Sequence, residues 1–167
     1  MKTTLFIFVM LIGLSSYSHQ SLHISLQTAP VESLKEKVLK QLGINETEVR
    51  DELFEEKVLP HAPFQTVMAI PKMISEDEGM YTVDLILVVV NNQSGKIIQK
   101  FSEENYLHSD AIYVSGITID TAPYLLSKTV RAFGIRVHYS GSSRPNPYGE
   151  DFLSLYVQEG SIYSAGY

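Results

Sequence analysis

An apolar stretch from Met80 to Val90 runs into the turn-forming pentapeptide Asn91-Asn92-Gln93-Ser94-Gly95 and out again through Lys96 to Phe101. Two strand-like runs joined by five turn residues pair antiparallel, because a parallel crossover needs a dozen or more residues and usually a helix. Inside the first run, Leu85 to Val90 is too short to cross a bilayer as a helix and suits a buried strand. Further strands are predicted at Phe64 to Ile70, Ala111 to Asp120, Arg131 to Tyr139 and Phe152 to Val157. In Arg131 to Tyr139 the odd positions Phe133, Ile135, Val137 and Tyr139 are apolar, while Ala132, Gly134, Arg136 and His138 fill the even ones. Successive strand residues point to opposite faces, so one face belongs to a core and the other to water. Leu153, Leu155 and Val157 likewise share a face.

Ahead of the strands the spacing turns helical. After Thr28 and Pro30, the residues Val31, Leu34, Val38 and Leu42 recur at helical intervals and stop at Gly43, a favoured C′ residue. Asn45 with Glu48 has the form of a capping box, and Ile44 with Val49 that of a hydrophobic staple, which predicts a second helix limited by Pro60. Glu46, Glu48, Asp51, Glu52, Glu55 and Glu56 would be its solvated face. The expected fold is α+β and mainly β, an antiparallel sheet or sandwich with two short N-terminal helices. Residues 19–60 form the helical segment and residues 61–167 the antiparallel β region. Ile162, Tyr163 and Tyr167 carry a strand-like pattern to the last residue, which leaves open a chain that continues beyond it.

Residues 1–18 read as a signal peptide. Lys2 precedes the apolar run Leu5 to Leu14, and the small residues Ser16 and Ser18 flank Tyr17 in a pattern that predicts cleavage after Ser18. No later stretch reaches membrane-spanning length. The 13 basic and 19 acidic residues give a net charge of −6, and loss of Lys2 with the leader makes it −7. Such a surface repels phosphate backbones and argues against nucleic acid as a partner. With no cysteine in the chain, thiolate metal sites, cysteine nucleophiles and disulfides are excluded. An exported chain of this length that relies on its core alone points to a bacterial periplasmic or secreted protein.

Candidate chemistry gathers around Ser140-Gly141-Ser142-Ser143-Arg144-Pro145-Asn146-Pro147-Tyr148-Gly149. The two prolines preset φ and lower the entropy a loop loses on binding, while Arg and Tyr are frequent interface anchors. The same composition also suits a plain hairpin loop. Ser140, Gly141, Ser142, Arg144 and Tyr148 are the expected ligand-binding residues, together with Arg136 and His138 on the wet face of the preceding strand. No Gly-x-Ser-x-Gly elbow, His-Glu-x-x-His, Walker loop or dinucleotide fingerprint is present, and no catalytic residue is assigned. Carboxylate pairs such as Glu104 with Asp110, or Asp120 with Glu150, leave glycoside hydrolysis formally open. Asp84 stands inside the apolar run, where burial would raise its pKa and an edge position would leave it wet. His108 and Asp110 are metal-ligand types, but no second histidine stands at helical i, i+4 spacing and no EF-hand loop occurs, so neither metal nor cofactor is expected.

The segments Ile119-Asp120-Thr121-Ala122-Pro123-Tyr124, Arg131-Ala132-Phe133-Gly134-Ile135-Arg136, Gly141-Ser142-Ser143-Arg144 and Asn146-Pro147 carry a resemblance to a group of uncharacterised exported bacterial proteins, over Phe64 to Gly160. It implies a bacterial exported origin and no particular chemistry; members of that group continue further than this chain. A weaker likeness is to periplasmic lysozyme inhibitors, which are antiparallel sheets whose binding loop carries a Ser-Gly pair followed by an aromatic residue. Ser140-Gly141 is similar to that pair, with Ser142 at the aromatic position. The expectation is an exported, non-enzymatic module that binds a protein or glycan of the cell envelope, with inhibition of a lysozyme-like hydrolase as its sharper form. The alternatives are an envelope-glycan hydrolase using a carboxylate pair and a structural envelope component.

Overall fold

The computed structural model describes residues 32–128, 130–141 and 147–158. The first element is α1 (Leu34–Leu42), and its ends are set locally. Ser33 Oγ accepts from the Glu36 N–H at 3.1 Å and the Glu36 carboxylate accepts from the Ser33 N–H at 2.6 Å, a complete capping box. At the other end Gly43 takes φ 68°, its N–H donates to the Lys40 carbonyl and the Ile44 N–H to the Leu39 carbonyl, the paired bonds of a Schellman stop. The helix therefore starts at Leu34 under a Ser33 cap, while Thr28, Pro30 and Val31 lie outside the described residues, as do residues 1–18, where a leader is expected.

The predicted second helix does not form. Asn45 and Glu48 do make their capping box, with the Asn45 N–H donating to Glu48 at 2.8 Å, but it closes only a 3₁₀ turn at Glu46–Glu48, followed by another at Asp51–Leu53. Tertiary pairing overrides the helical spacing here. Val49 bridges Lys72, and the Arg50 N–H is taken by the Pro71 carbonyl at 2.9 Å, which holds the chain extended between the two turns. Ile44 and Val49 still bury together as a staple would. From Glu55 the chain is strand, so the expected helical segment to residue 60 ends early, in β1 (Glu55–Leu59).

Six more strands follow: β2 (Ala62–Asp77), β3 (Met80–Asn91), β4 (Ile97–Ser109), β5 (Ile112–Leu125), β6 (Arg131–Gly141) and β7 (Gly149–Val157). They form two antiparallel sheets in chain order, β1-β2-β3-β4 and β5-β6-β7. The β3–β4 hairpin is the one read from the sequence: Asn91 Oδ1 accepts from the Gln93 and Ser94 N–H groups, and Gly95 supplies a φ of 70°. β4 runs beyond Phe101 through an irregularity at Asn105, whose φ is 49° and whose N–H donates to Asp84 at 2.7 Å. The carboxylate inside the apolar run thus holds a backbone donor that the ladder leaves unpaired.

Burial explains why β3 is apolar without alternation. Val83, Leu85, Leu87 and Val89 face the second sheet and meet Ile117, Ile119, Phe133, Ile135, Val137 and Tyr156. Ile86, Val88 and Val90 face the other way, with Met68 and Ile70, onto Val38 and Leu39 of α1. The molecule is layered as α1, four-stranded sheet and three-stranded sheet, with a core in each gap, and the Asp51–Leu53 turn sends Leu53 into the core between the sheets. Phe101, Phe133 and Tyr156 fill one part of the gap between the sheets, with ring centroids 5.3 to 6.4 Å apart.

Candidate functional site

The register of β6 divides its side chains as the alternation predicts: Phe133, Ile135 and Val137 enter the core, and Arg136 and His138 stand on the outer face of the three-stranded sheet. β7 has the opposite phase to the one its leucines suggest. Phe133 pairs with Tyr156 and Ile135 with Ser154, so Tyr156 and Ser154 point inward, while Leu153, Leu155 and Val157 lie outside beside Arg136, Gly134 and Ala132. Room for that outer apolar strip comes from Gly134, where an added Cβ would sit 2.6 Å from Leu153 Cδ1 and 3.3 Å from Asp120 Cβ.

Next to the strip, the polar residues of three strands interlock. Arg136 Nη2 donates to Asp120 Oδ2 at 3.0 Å, and the Tyr124 hydroxyl donates to the same oxygen at 2.7 Å. The Ala122 N–H donates to the other oxygen at 3.0 Å. These donors, the Ala122 N–H first, hold the Asp120 carboxyl down at a pKa of about 2. One turn of the pleat further on, His138 Nδ1 is 2.8 Å from Asp151 Oδ1 and His138 Nε2 is 3.0 Å from Thr118 Oγ1. Ser115 Oγ donates to the His138 carbonyl, and Ser140 Oγ to Ser115 Oγ at 3.2 Å, which carries the network to the end of β6.

There the strand closes into the predicted loop. Gly141 N–H donates to the Tyr148 carbonyl at 2.9 Å, and a Cβ on Gly141 would lie 2.9 Å from that of Tyr148, so the close approach requires glycine. Tyr148 is 40% exposed and its hydroxyl bonds to Glu150. Ser142 and Arg144 lie outside the described residues. The structure therefore brings Arg136, His138 and Ser140 onto one face, with Gly141 at its end, while Tyr148 bonds to Glu150 on the opposite face. The sequence reading missed Thr118, Asp120, Tyr124, Ser115 and Asp151 as partners of the first three. Thr118 and Asp120 share a face of β5, a period-two signal that marks the face but not the neighbours it meets.

Carboxyl–imidazole–hydroxyl order, as in Asp151, His138 and Thr118, is shared with nucleophilic hydrolases. Here it lies on a sheet face whose β6 backbone N–H groups point along the sheet to β5 and β7, so none is aimed at a carbonyl held over Thr118. Register separates one of the two carboxylate pairs. Asp120 is opposite Gly134 and Glu150 opposite Tyr139, which places them on opposite faces. Asp110 Oδ1 holds the Ile112 N–H at 2.8 Å in the turn between the sheets. Among the described residues no three His, Asp or Glu side chains converge as a metal cage, and no helix is long and apolar enough to cross a membrane. No family model matches the chain, and no curated protein or solved structure is significantly similar to it.

Proposed function

We propose that this protein is an exported, non-enzymatic binding module of a bacterial cell envelope, which recognises a protein or glycan through the outer face of β5-β6-β7 and the β6–β7 loop. The observation that carries this reading is the Asp120, Arg136, Thr118, His138 and Asp151 network, preorganised by strand register and continuous through Ser115 and Ser140 with the loop. Side chains already held in place lose little entropy on binding, and fixed donors and acceptors on a rigid sheet select a partner by register. In its sharper form the partner is a cationic, lysozyme-like hydrolase, steered by a net charge of −6 that becomes −7 without Lys2, with Arg144 offered to its catalytic carboxylates.

The test is inhibition of a panel of lysozymes by the mature protein, at low and high salt, alongside capture of envelope proteins by wild type and by the variants Arg136→Ala, Arg144→Ala and Tyr148→Ala. Micromolar inhibition weakened by salt and by these substitutions supports the inhibitor. A capture profile identical for wild type and all three variants overturns the assignment of this face.

A further inference from the structure

A cavity of about 510 Å³ opens at the end of the sandwich where the first 3₁₀ turns, the β2–β3 hairpin and the start of β5 meet. That volume lies in the range of small-molecule sites. Its wall contains Arg50, Tyr81, Ser109, Tyr113 and Ser115. The Arg50 guanidinium is stacked on the Tyr81 ring at 3.8 Å, and the Tyr81 hydroxyl donates to the Val114 carbonyl at 3.3 Å, so this wall is fixed across both sheets.

One polar group in it is unsatisfied, and it stands in a wall shared with Ser109, which is only 4% exposed. That group is the buried Arg50 Nε: Glu52 Oε1 lies 2.8 Å away and meets the charge, yet the N–H is not aligned on that oxygen or any other acceptor. A buried donor left this way costs stability, and it marks a place where a further polar molecule belongs.

The charge pattern selects its class. Arg50 is already balanced by Glu52 and by Glu76 at 3.4 Å, which leaves no net positive charge to hold a phosphate or a carboxylate. Serine hydroxyls, a guanidinium donor and a carboxylate acceptor beside the 41% exposed ring of Tyr113 match a molecule with many hydroxyls and an apolar C–H face. We propose that this cavity is a saccharide subsite: it takes one neutral sugar residue, stacked on Tyr113 and hydrogen-bonded to Ser109 and Arg50. Ser115 lines the cavity and also bonds to Ser140 and the His138 carbonyl, so a longer chain leaves the subsite directly onto the outer face of β5-β6-β7. The proposal rests on the binding-module reading above and narrows its ligand to a glycan.

Amide NMR of the mature protein decides it, titrated with glucose, galactose, mannose, N-acetylglucosamine and the β-1,4-linked N-acetylglucosamine trimer, and with cadaverine as an amine control. The expected result is saturable shifts at Gly79, Ser109 and Tyr113 with at least one saccharide, weakened at least tenfold by Ser109→Ala and by Tyr113→Ala. Lys40→Ala, on α1 and outside the cavity lining, should leave the affinity for the monosaccharide within twofold. If no saccharide moves these amides, or only cadaverine does, the subsite is overturned. Saccharide shifts confined to Thr118, Arg136, His138 and Asp151 overturn the cavity while supporting the outer face, so the two readings fail separately.

Discussion

Replacing Ile86 or Leu87 by alanine tests the two-core arrangement directly, because these neighbours on β3 point into different layers. Leu87 is fully buried between the sheets, and Ile86, at 6% exposure, is buried against the helix layer. Each change removes three carbon atoms, worth about 2.4 kcal/mol of transfer free energy at ~0.8 kcal/mol per group. With the cavity left behind, the loss should fall at ~2–5 kcal/mol for both. For a chain of this size that corresponds to roughly 2–4 °C in Tm per kcal/mol. Urea unfolding followed by circular dichroism measures the loss, and an unchanged m-value would show that both variants unfold from the same compact state. A full loss for Leu87→Ala with less than ~0.5 kcal/mol for Ile86→Ala would refute the reasoning, since the second face of β3 would then be solvated and α1 unseated.

Removing the acceptor in Asp84→Ala should cost about 1 kcal/mol by leaving the Asn105 N–H unpaired, while Asn105→Gly, which tolerates the 49° φ, should be close to neutral; chemical denaturation distinguishes the two. Asp120 has its pKa lowered in the folded state, so the stability it contributes is complete above the unfolded carboxyl value near 3.8 and is lost as pH falls toward 2. The stability gap between wild type and Asp120→Asn should therefore narrow from pH 5 to pH 2, and a gap that widens would show that the carboxylate is not stabilised by its donors. Ser33→Ala removes one arm of the capping box and should cost ~0.5–2 kcal/mol, read by the same denaturation. Loss of helical signal beyond one turn is not expected, because Val38 and Leu39 stay seated on β2 and β3.

Local chemistry was readable from the chain wherever it acts within a few residues. The Asn91 to Gly95 turn, the Gly43 stop and the alternation of β6 follow from side-chain hydrogen bonding, positive φ and the two-residue period of a strand, and each is found where the residues place it. Of the proposed site, Arg136 and His138 could be assigned to the wet face for the same reason. Long-range pairing settled the rest. Asn45 and Glu48 carry a real helix-start signal, and the bonds to Lys72 and Pro71 cut it to a single turn. Leu153, Leu155 and Val157 share a face in either phase, and only the pairing of Tyr156 with Phe133 turns that face outward. A period of two fixes which residues stand together but is silent on which side the core lies. That choice, the meeting of Asp151 with Thr118 through His138, and the cavity beneath Tyr113 all depend on residues far apart in the chain, whose approach is set by how two sheets and a helix bury their apolar faces together.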